Sequence, residues 1–234
     1  MYKLKNILAI VPARSGSKEI KNKNLKKISK ISLVGRAVLF AKKNKEIDDV
    51  VVSTDGLNIK KEVLKYKIKV PFMRPKKLSG DRIPDYPVLY DSLINAEKFY
   101  KKKYEYIVML QPTSPLRTKK EFQECIKKIY KDKFDTVWTI REIDKKYHPF
   151  KQFLIKNKNV YLHNKIGKKI INRQELKKTY IRNGAIYIFS RNCILKQKTI
   201  FGKRHGFYIS QAKHISIDTL ADLKEVKKRF YQNV

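Results

Sequence analysis

Apolar positions in this chain follow two rhythms. Short unbroken runs occupy residues 7–11 (ILAIV), 49–53 (DVVVS), 106–110 (YIVML), 136–140 (TVWTI) and 185–189 (AIYIF). Runs of that length, bounded by turn residues, read as strands buried on both faces. Between them lie longer stretches with apolar residues every third or fourth position. They predict helices over 33–45, 57–65, 85–102, 119–130 and 219–231. Over 85–102, Val88, Leu89, Ser92, Leu93 and Ala96 share one side. A further short strand is expected over 69–73, and 12–31 reads as a loop. Strand and helix in alternation predict an α/β fold, a mostly parallel sheet covered on both faces.

The rhythm breaks from about 145 to 179. This stretch is polar, with short alternations at 150–155 and 160–163. It reads as an inserted hairpin or small subdomain within one domain spanning 1–234. There is no internal repeat and no linker rich in Pro, Gly or Ser.

Ligands of open parallel sheets sit beyond the carboxyl ends of the strands, so the residues just after each run carry the chemistry. The first run is followed by Arg14-Ser15-Gly16-Ser17-Lys18, and the second by Ser53-Thr54-Asp55. Then come Arg74-Pro75 with Leu78-Ser79-Gly80-Asp81, and Gln111-Pro112-Thr113-Ser114-Pro115-Leu116-Arg117. Arg173-Gln174 lies in the insert, Arg182-Asn183-Gly184 precedes a strand, and Ser216-Ile217-Asp218 precedes the last helix. Small residues let backbone N–H groups approach an anion, and Arg and Lys add charge-assisted donors. Taken singly, each motif has a structural explanation: Asp55 as a helix cap, Asp81 as an Asx turn. Taken together at successive strand ends, they point to an anionic ligand.

Composition narrows the picture. The net charge is +35, with 45 Lys against 11 Arg. Such a field attracts nucleic acid. The lysines, however, are dispersed as doublets along the whole chain, alongside abundant Asn and Ile, which reads as A/T-rich coding and argues against a nucleic-acid partner. Two distant cysteines, Cys125 and Cys193, form no metal or redox motif. No run is long enough to span a membrane and no secretory signal is apparent, so a cytoplasmic, disulfide-free protein is expected. Trp138 reads as core, and His148, His163, His205 and His214 as surface or loop residues.

The ordered motifs resemble those of the CMP-sugar synthetases of the acylneuraminate cytidylyltransferase type. The matches are residues 11–18 with Lys23-Asn24, then 53–55, 74–81, 111–117, Arg173-Gln174, 183–187 and Ile217-Asp218. The run 80–89 looks similar to the bacterial legionaminate-type branch. The resemblance implies a three-layer Rossmann-like nucleotidyltransferase fold with a small inserted dimerisation subdomain. It implies coupling of CTP to the anomeric hydroxyl of a nine-carbon 2-keto sugar acid, with release of pyrophosphate. Under it, Arg14, Lys18 and Lys23 hold the triphosphate and the leaving pyrophosphate, with Ser15, Gly16 and Ser17 in the same loop. Asn24, Arg74, Ser79, Asp81 and Asp85 bind the nucleotide. Gln111, Arg182 and Asn183 face the sugar acid, and Arg173 adds a cation at the reacting centre. Asp218, with Ser216, holds Mg²⁺, and the chain forms a homodimer.

The sequence departs from that pattern at three positions. Glu19 replaces a Gly, Lys21-Asn22 stand where a Pro precedes Lys23-Asn24, and Ser216 replaces an Asp. An eight-carbon acid such as Kdo, another nucleotide, an inactive relative and a basic nucleic-acid-binding protein are the alternative readings.

Overall fold

The computed structural model describes residues 6–212 and 214–232. In chain order its elements begin with β1 (Ile7–Pro12), β2 (Lys27–Ile28), β3 (Ile31–Ser32), α1 (Leu33–Lys43) and β4 (Asp49–Ser53). Next come α2 (Leu57–Leu64), α3 (Asp85–Tyr100), β5 (Tyr106–Met109), α4 (Lys119–Lys131) and β6 (Thr136–Glu142). The chain continues through β7 (Phe153–Lys156), β8 (Asn159–Leu162), β9 (Tyr180–Ser190), α5 (Arg191–Leu195), β10 (His205–Ile209) and α6 (Leu220–Gln232).

Six strands form the central sheet in the order β10-β6-β9-β5-β1-β4. β4, β1 and β5 are parallel, as are β6 and β10, while β9 runs antiparallel between β5 and β6. The sheet is therefore mixed, and β9 joins two parallel sets. Residues 7–11 are wholly buried because both faces of β1 are covered. Ile7, Ala9 and Val11 meet Val34, Val38, Phe122 and Ile129 on one face. Leu8 and Ile10 meet Leu89, Leu93, Ala96 and Trp138 on the other. The predicted face of α3 and the core placement of Trp138 are both found.

Local chemistry sets the helix starts. The Ser32 hydroxyl accepts from the Gly35 N–H at the start of α1. Thr118 and Glu121 form a capping box at the start of α4. α3 stops where Lys101 adopts a left-handed backbone.

Several expectations are corrected. Residues 69–73 are not a strand: Pro71 has no N–H to give a ladder, and Val70 is buried without pairing. The expected loop 12–31 holds the short β2–β3 hairpin, whose Ile28 packs with Ile20, Leu33, Ile217 and Val226. β10 and α5 were not foreseen, and β9 starts five residues earlier than its apolar run. His148 and His214 are buried, not surface residues, whereas His163 is exposed as expected. Residues 143–179 lie outside the central sheet as 3₁₀ turns and the β7–β8 hairpin.

Candidate active site

The carboxyl ends of β1 and β4 and the start of α3 meet the β5, β6 and β9 ends around one cavity of about 780 Å³. Arg14, Ser17, Lys23, Asn24, Arg74, Asp81 and Asp85 line one end. Gln111, Arg182 and Asn183 line the other, and Ser216 and Asp218 border both. Motif residues as distant as Arg14 and Asp218 thus converge on one space.

The loop after β1 is held by its own neighbours. Ser15 donates from its N–H and its hydroxyl to Asp55, each at 2.8 Å. Burial works to raise the Asp55 carboxyl, but the Ser15 bonds, a local backbone bond and the Arg74 charge together hold it below its usual value. Asn24 donates to the Arg14 carbonyl at 2.9 Å, and Arg14 reaches the Gly16 carbonyl. The fixed loop points its cations at carboxylates. Asp81 pairs with Arg14 at 2.5 Å and with Lys18 at 2.7 Å. The bonds from Lys18 and Arg14 depress the Asp81 carboxyl. Lys23 Nζ lies 3.1 Å from Asp218 Oδ1 and from the Ile217 carbonyl.

Arg74 is buried and is tied to the end of β4. It donates to the Ser53 hydroxyl at 3.0 Å and the Ser53 carbonyl at 2.7 Å. Burial lowers its pKa, and Asp55 opposes that. Burial also raises the Asp85 carboxyl, against the pull of Arg182 and Arg74.

The opposite wall depends on a sharp turn before β9's core. Gly184 has φ +72°, and an added Cβ there would meet Ser114 Oγ at 2.6 Å and Gln111 Oε1 at 2.8 Å. Only glycine accepts both the conformation and the contact. Tyr187, pushed up to about 12 by burial, accepts from the Gly184 N–H at 2.9 Å. Asn183 Oδ1 accepts from Thr139 at 2.6 Å and from the Ala185 N–H, leaving Asn183 Nδ2 buried and unpaired. A register irregularity between Trp138 and Ile140 accompanies Arg141, which also lines the cavity.

Not every expected residue arrives. Ser15, Gly16, Lys18 and Ser79 support the lining without forming it: Lys18 acts through Asp81, and the Ser79 hydroxyl bonds the Pro75 carbonyl. Arg173 is brought elsewhere. It is exposed in the insert and bonded to Asp144 at 3.0 Å. Sequence reasoning missed Arg141, Tyr187, Asp222 and His214, all of which line the cavity. Tyr187 was within the matched 183–187 segment, while the others carried no local signal. Glu19 and Lys21 are exposed and do not line the cavity.

Comparison with known proteins agrees with this geometry. The chain is 31% identical over 222 residues to a CMP-N,N'-diacetyllegionaminic acid synthase of Campylobacter jejuni, covering 94% of this chain and 93% of that protein. It is 29% identical over 225 residues to the post-translational flagellin modification protein B of Campylobacter coli, covering 96% and 94%. In fold it is similar to a CMP:2-keto-3-deoxy-manno-octonic acid synthetase complexed with CTP. That match has a TM-score of 0.74 at 16% identity and covers 98% of this chain and all of the other. A family model described as cytidylyltransferase matches residues 8–234, and the chain belongs to that family.

Proposed function

We propose that this enzyme joins CTP to the anomeric hydroxyl of a nine-carbon 2-keto sugar acid. The sugar hydroxyl gives its proton to solvent and its oxygen forms a bond to the α-phosphorus, the α–β bridging bond breaks, and pyrophosphate leaves with the electron pair. One observation carries the reading. A single cavity holds Arg14 and Lys23 at one end, with Lys18 behind them on Asp81, and Gln111, Arg182 and Asn183 at the other. Phosphoryl transfer demands little covalent help from the protein; it needs positioning and positive charge. Arg14, Lys18 and Lys23 receive the phosphates by exchanging Asp81 and Asp218 for substrate oxygens. Asn24 and Arg74 fix the nucleotide side, with residues 79–85 over the base and ribose. Arg182 and Arg141 face the carboxylate of the sugar acid.

Asp218 and Ser216 suit a Mg²⁺ carried on the triphosphate. The described residues contain no group of three or more His, Cys, Asp or Glu able to hold a metal. An ion held by one or two carboxylates plus substrate phosphates needs no such group. Bound there, Mg²⁺ would neutralise charge on the leaving phosphates.

The proposal extends to a homodimer made through the insert. Ile155 is 79% exposed, and Phe153 and Val160 are exposed on the same face of the β7–β8 hairpin. A patch of that kind favours burial against a partner. A role for Arg173 at the reacting centre requires such a partner to receive it. The reaction belongs in the cytoplasm with its CTP supply. Among the described residues no helix is long and apolar enough to cross a membrane.

The test is pyrophosphate release from CTP and Mg²⁺ with sialic, legionaminic, pseudaminic and Kdo acids, repeated with the other nucleoside triphosphates. Release that needs CTP and a nine-carbon acid supports the reading. Equal rates with Kdo would shift the substrate to eight carbons, and silence across the whole panel would remove the reading.

A further inference from the structure

A cluster of buried charge reaches the cavity wall at His214 and has no part in the chemistry above. Glu121 closes the α4 capping box with one oxygen: Oε2 accepts from the Thr118 N–H at 2.9 Å and its hydroxyl at 3.0 Å. The cap needs nothing from the other oxygen. That oxygen, Oε1, reaches across the fold to the Ser210 hydroxyl and to His214 Nε2 at 2.6 Å. The side chains of Glu121 and His214 are 3% and 1% exposed. Arg117 is buried one turn earlier in sequence. It donates from Nε to the Ala185 carbonyl at 2.9 Å and from Nη2 to the Gln111 carbonyl.

The cluster therefore ties the segments that follow β5 and β10 to the middle of β9, next to the cavity wall. Arg117 holds Gln111 after β5 and Ala185 beside Asn183 in β9. Glu121 holds Ser210 after β10 and, through His214, the chain that follows it. From His214 onward the chain follows the cavity, with Ile217 turned away from it. Ile217 is buried against Ile20, Leu33 and Val226, while Ser216 and Asp218 turn to the cavity. Downstream, the Ile217 N–H donates to the Thr113 carbonyl at 2.8 Å and the Asp218 N–H to Asp222 at 3.0 Å. Upstream, among the described residues, His214 is the one member of 214–217 whose own side chain makes a hydrogen bond, while the Ile217 carbonyl accepts from Lys23 Nζ at 3.1 Å. Ser216 is thus fixed between His214 on its upstream side and Ile217, held by packing and by Thr113 and Lys23, on its downstream side.

Resting on the functional reading above, we propose that His214 is a positioning residue. Held by Glu121, it sets Ser216 and Asp218 against the Gln111 and Asn183 wall, and so governs turnover and metal binding rather than nucleotide affinity. Groups that hold a ligand-bearing segment in place act through it, and their loss is felt as activity and metal affinity.

The test uses the full chain, with Mn²⁺ as the metal probe. His214→Ala is expected to lower kcat by about 10- to 100-fold and to weaken Mn²⁺ binding in the presence of CTP by about tenfold. The Michaelis constant for CTP should stay within about threefold, the pattern of a lost transition-state interaction. His214→Gln, whose amide can span to Glu121, should recover most of both losses. His214→Asn, too short for Glu121, should not; this pair decides the matter if the alanine variant does not fold. Equal kcat in the Gln and Asn variants would overturn the proposal. So would an alanine variant that only melts earlier, with kcat and Mn²⁺ binding intact. A wild-type chain without turnover on any sugar acid would instead remove the functional reading. The Mn²⁺ measurement with CTP then still decides this one, and an unchanged affinity in His214→Ala overturns it.

Discussion

The two ends of the cavity carry positive charge in different conditions. At the end built from β1, β4 and α3, every cation is already engaged: Arg14 and Lys18 with Asp81, Lys23 with Asp218, and Arg74 with Ser53. At the β6–β9 end, Arg141 and Arg182 have no hydrogen-bonded carboxylate among the described residues, and Arg182 lies 5.7 Å from the Trp138 ring centroid. The difference assigns a ligand to each end. A triphosphate brings enough charge to displace carboxylates, so its site can keep its cations paired and ordered until it arrives. A single carboxylate has too little charge for that exchange and meets cations with no hydrogen-bonded carboxylate to displace.

The sharpest way to break the comparison is to remove one arginine from each end. Arg14→Ala should cost about 10²–10³-fold in kcat, the scale of a lost charge-stabilising donor, with the melting temperature nearly unchanged. Arg182→Ala should instead raise the Michaelis constant for the sugar acid by about tenfold and leave that for CTP alone. Swapped outcomes would reverse the assignment of the two ends.

A second test is a pH titration of stability. Burial works against ionisation of Glu121, but the bonds from His214 and Ser210 win and take its carboxyl from 4.5 to about 2. A depressed carboxyl stabilises the fold above its unfolded value and loses that contribution as pH falls through the folded one. The wild-type chain should therefore lose stability between about pH 4.5 and pH 2, and Glu121→Gln should flatten that part of an acid-denaturation curve. A variant whose curve parallels wild type would deny Glu121 this role.

Smaller effects sharpen the phosphate end. Asp81→Asn frees Arg14 and Lys18, so the Michaelis constant for CTP should fall by about two- to fivefold, the worth of an exposed ion pair. A rise would mean that Asp81 holds the nucleotide instead of standing in for it. The smallest effect concerns Glu19, which is exposed and apart from the cavity. Glu19→Gly should leave that constant within about twofold, because exposed substitutions change little. A large gain would show that its charge reaches the triphosphate.

The parts of the site that are legible in sequence are those whose partners are close in the chain. The small residues around Arg14 and the 111–117 turn announce themselves locally, and the strand-end rule gathers them. The fold was legible for the same reason: unbroken apolar runs such as 7–11 can only be central strands. What was hidden depends on distant pairing. His214 acquires its meaning from Glu121, 93 residues away. Arg141 enters the cavity next to a register irregularity that no spacing rule reveals. Arg173 fits its motif, yet the chain delivers it to Asp144. The pattern at 69–73 misled because apolar content outweighed the missing donor at Pro71.

The central claim is that the sugar's own oxygen attacks the α-phosphorus of CTP. ³¹P NMR of the product formed from a sugar acid carrying ¹⁸O at its anomeric hydroxyl tests this most directly. The account predicts an isotope shift on the single phosphorus of the CMP-sugar and none on pyrophosphate. A product phosphorus without the shift, or label in the pyrophosphate, would contradict it.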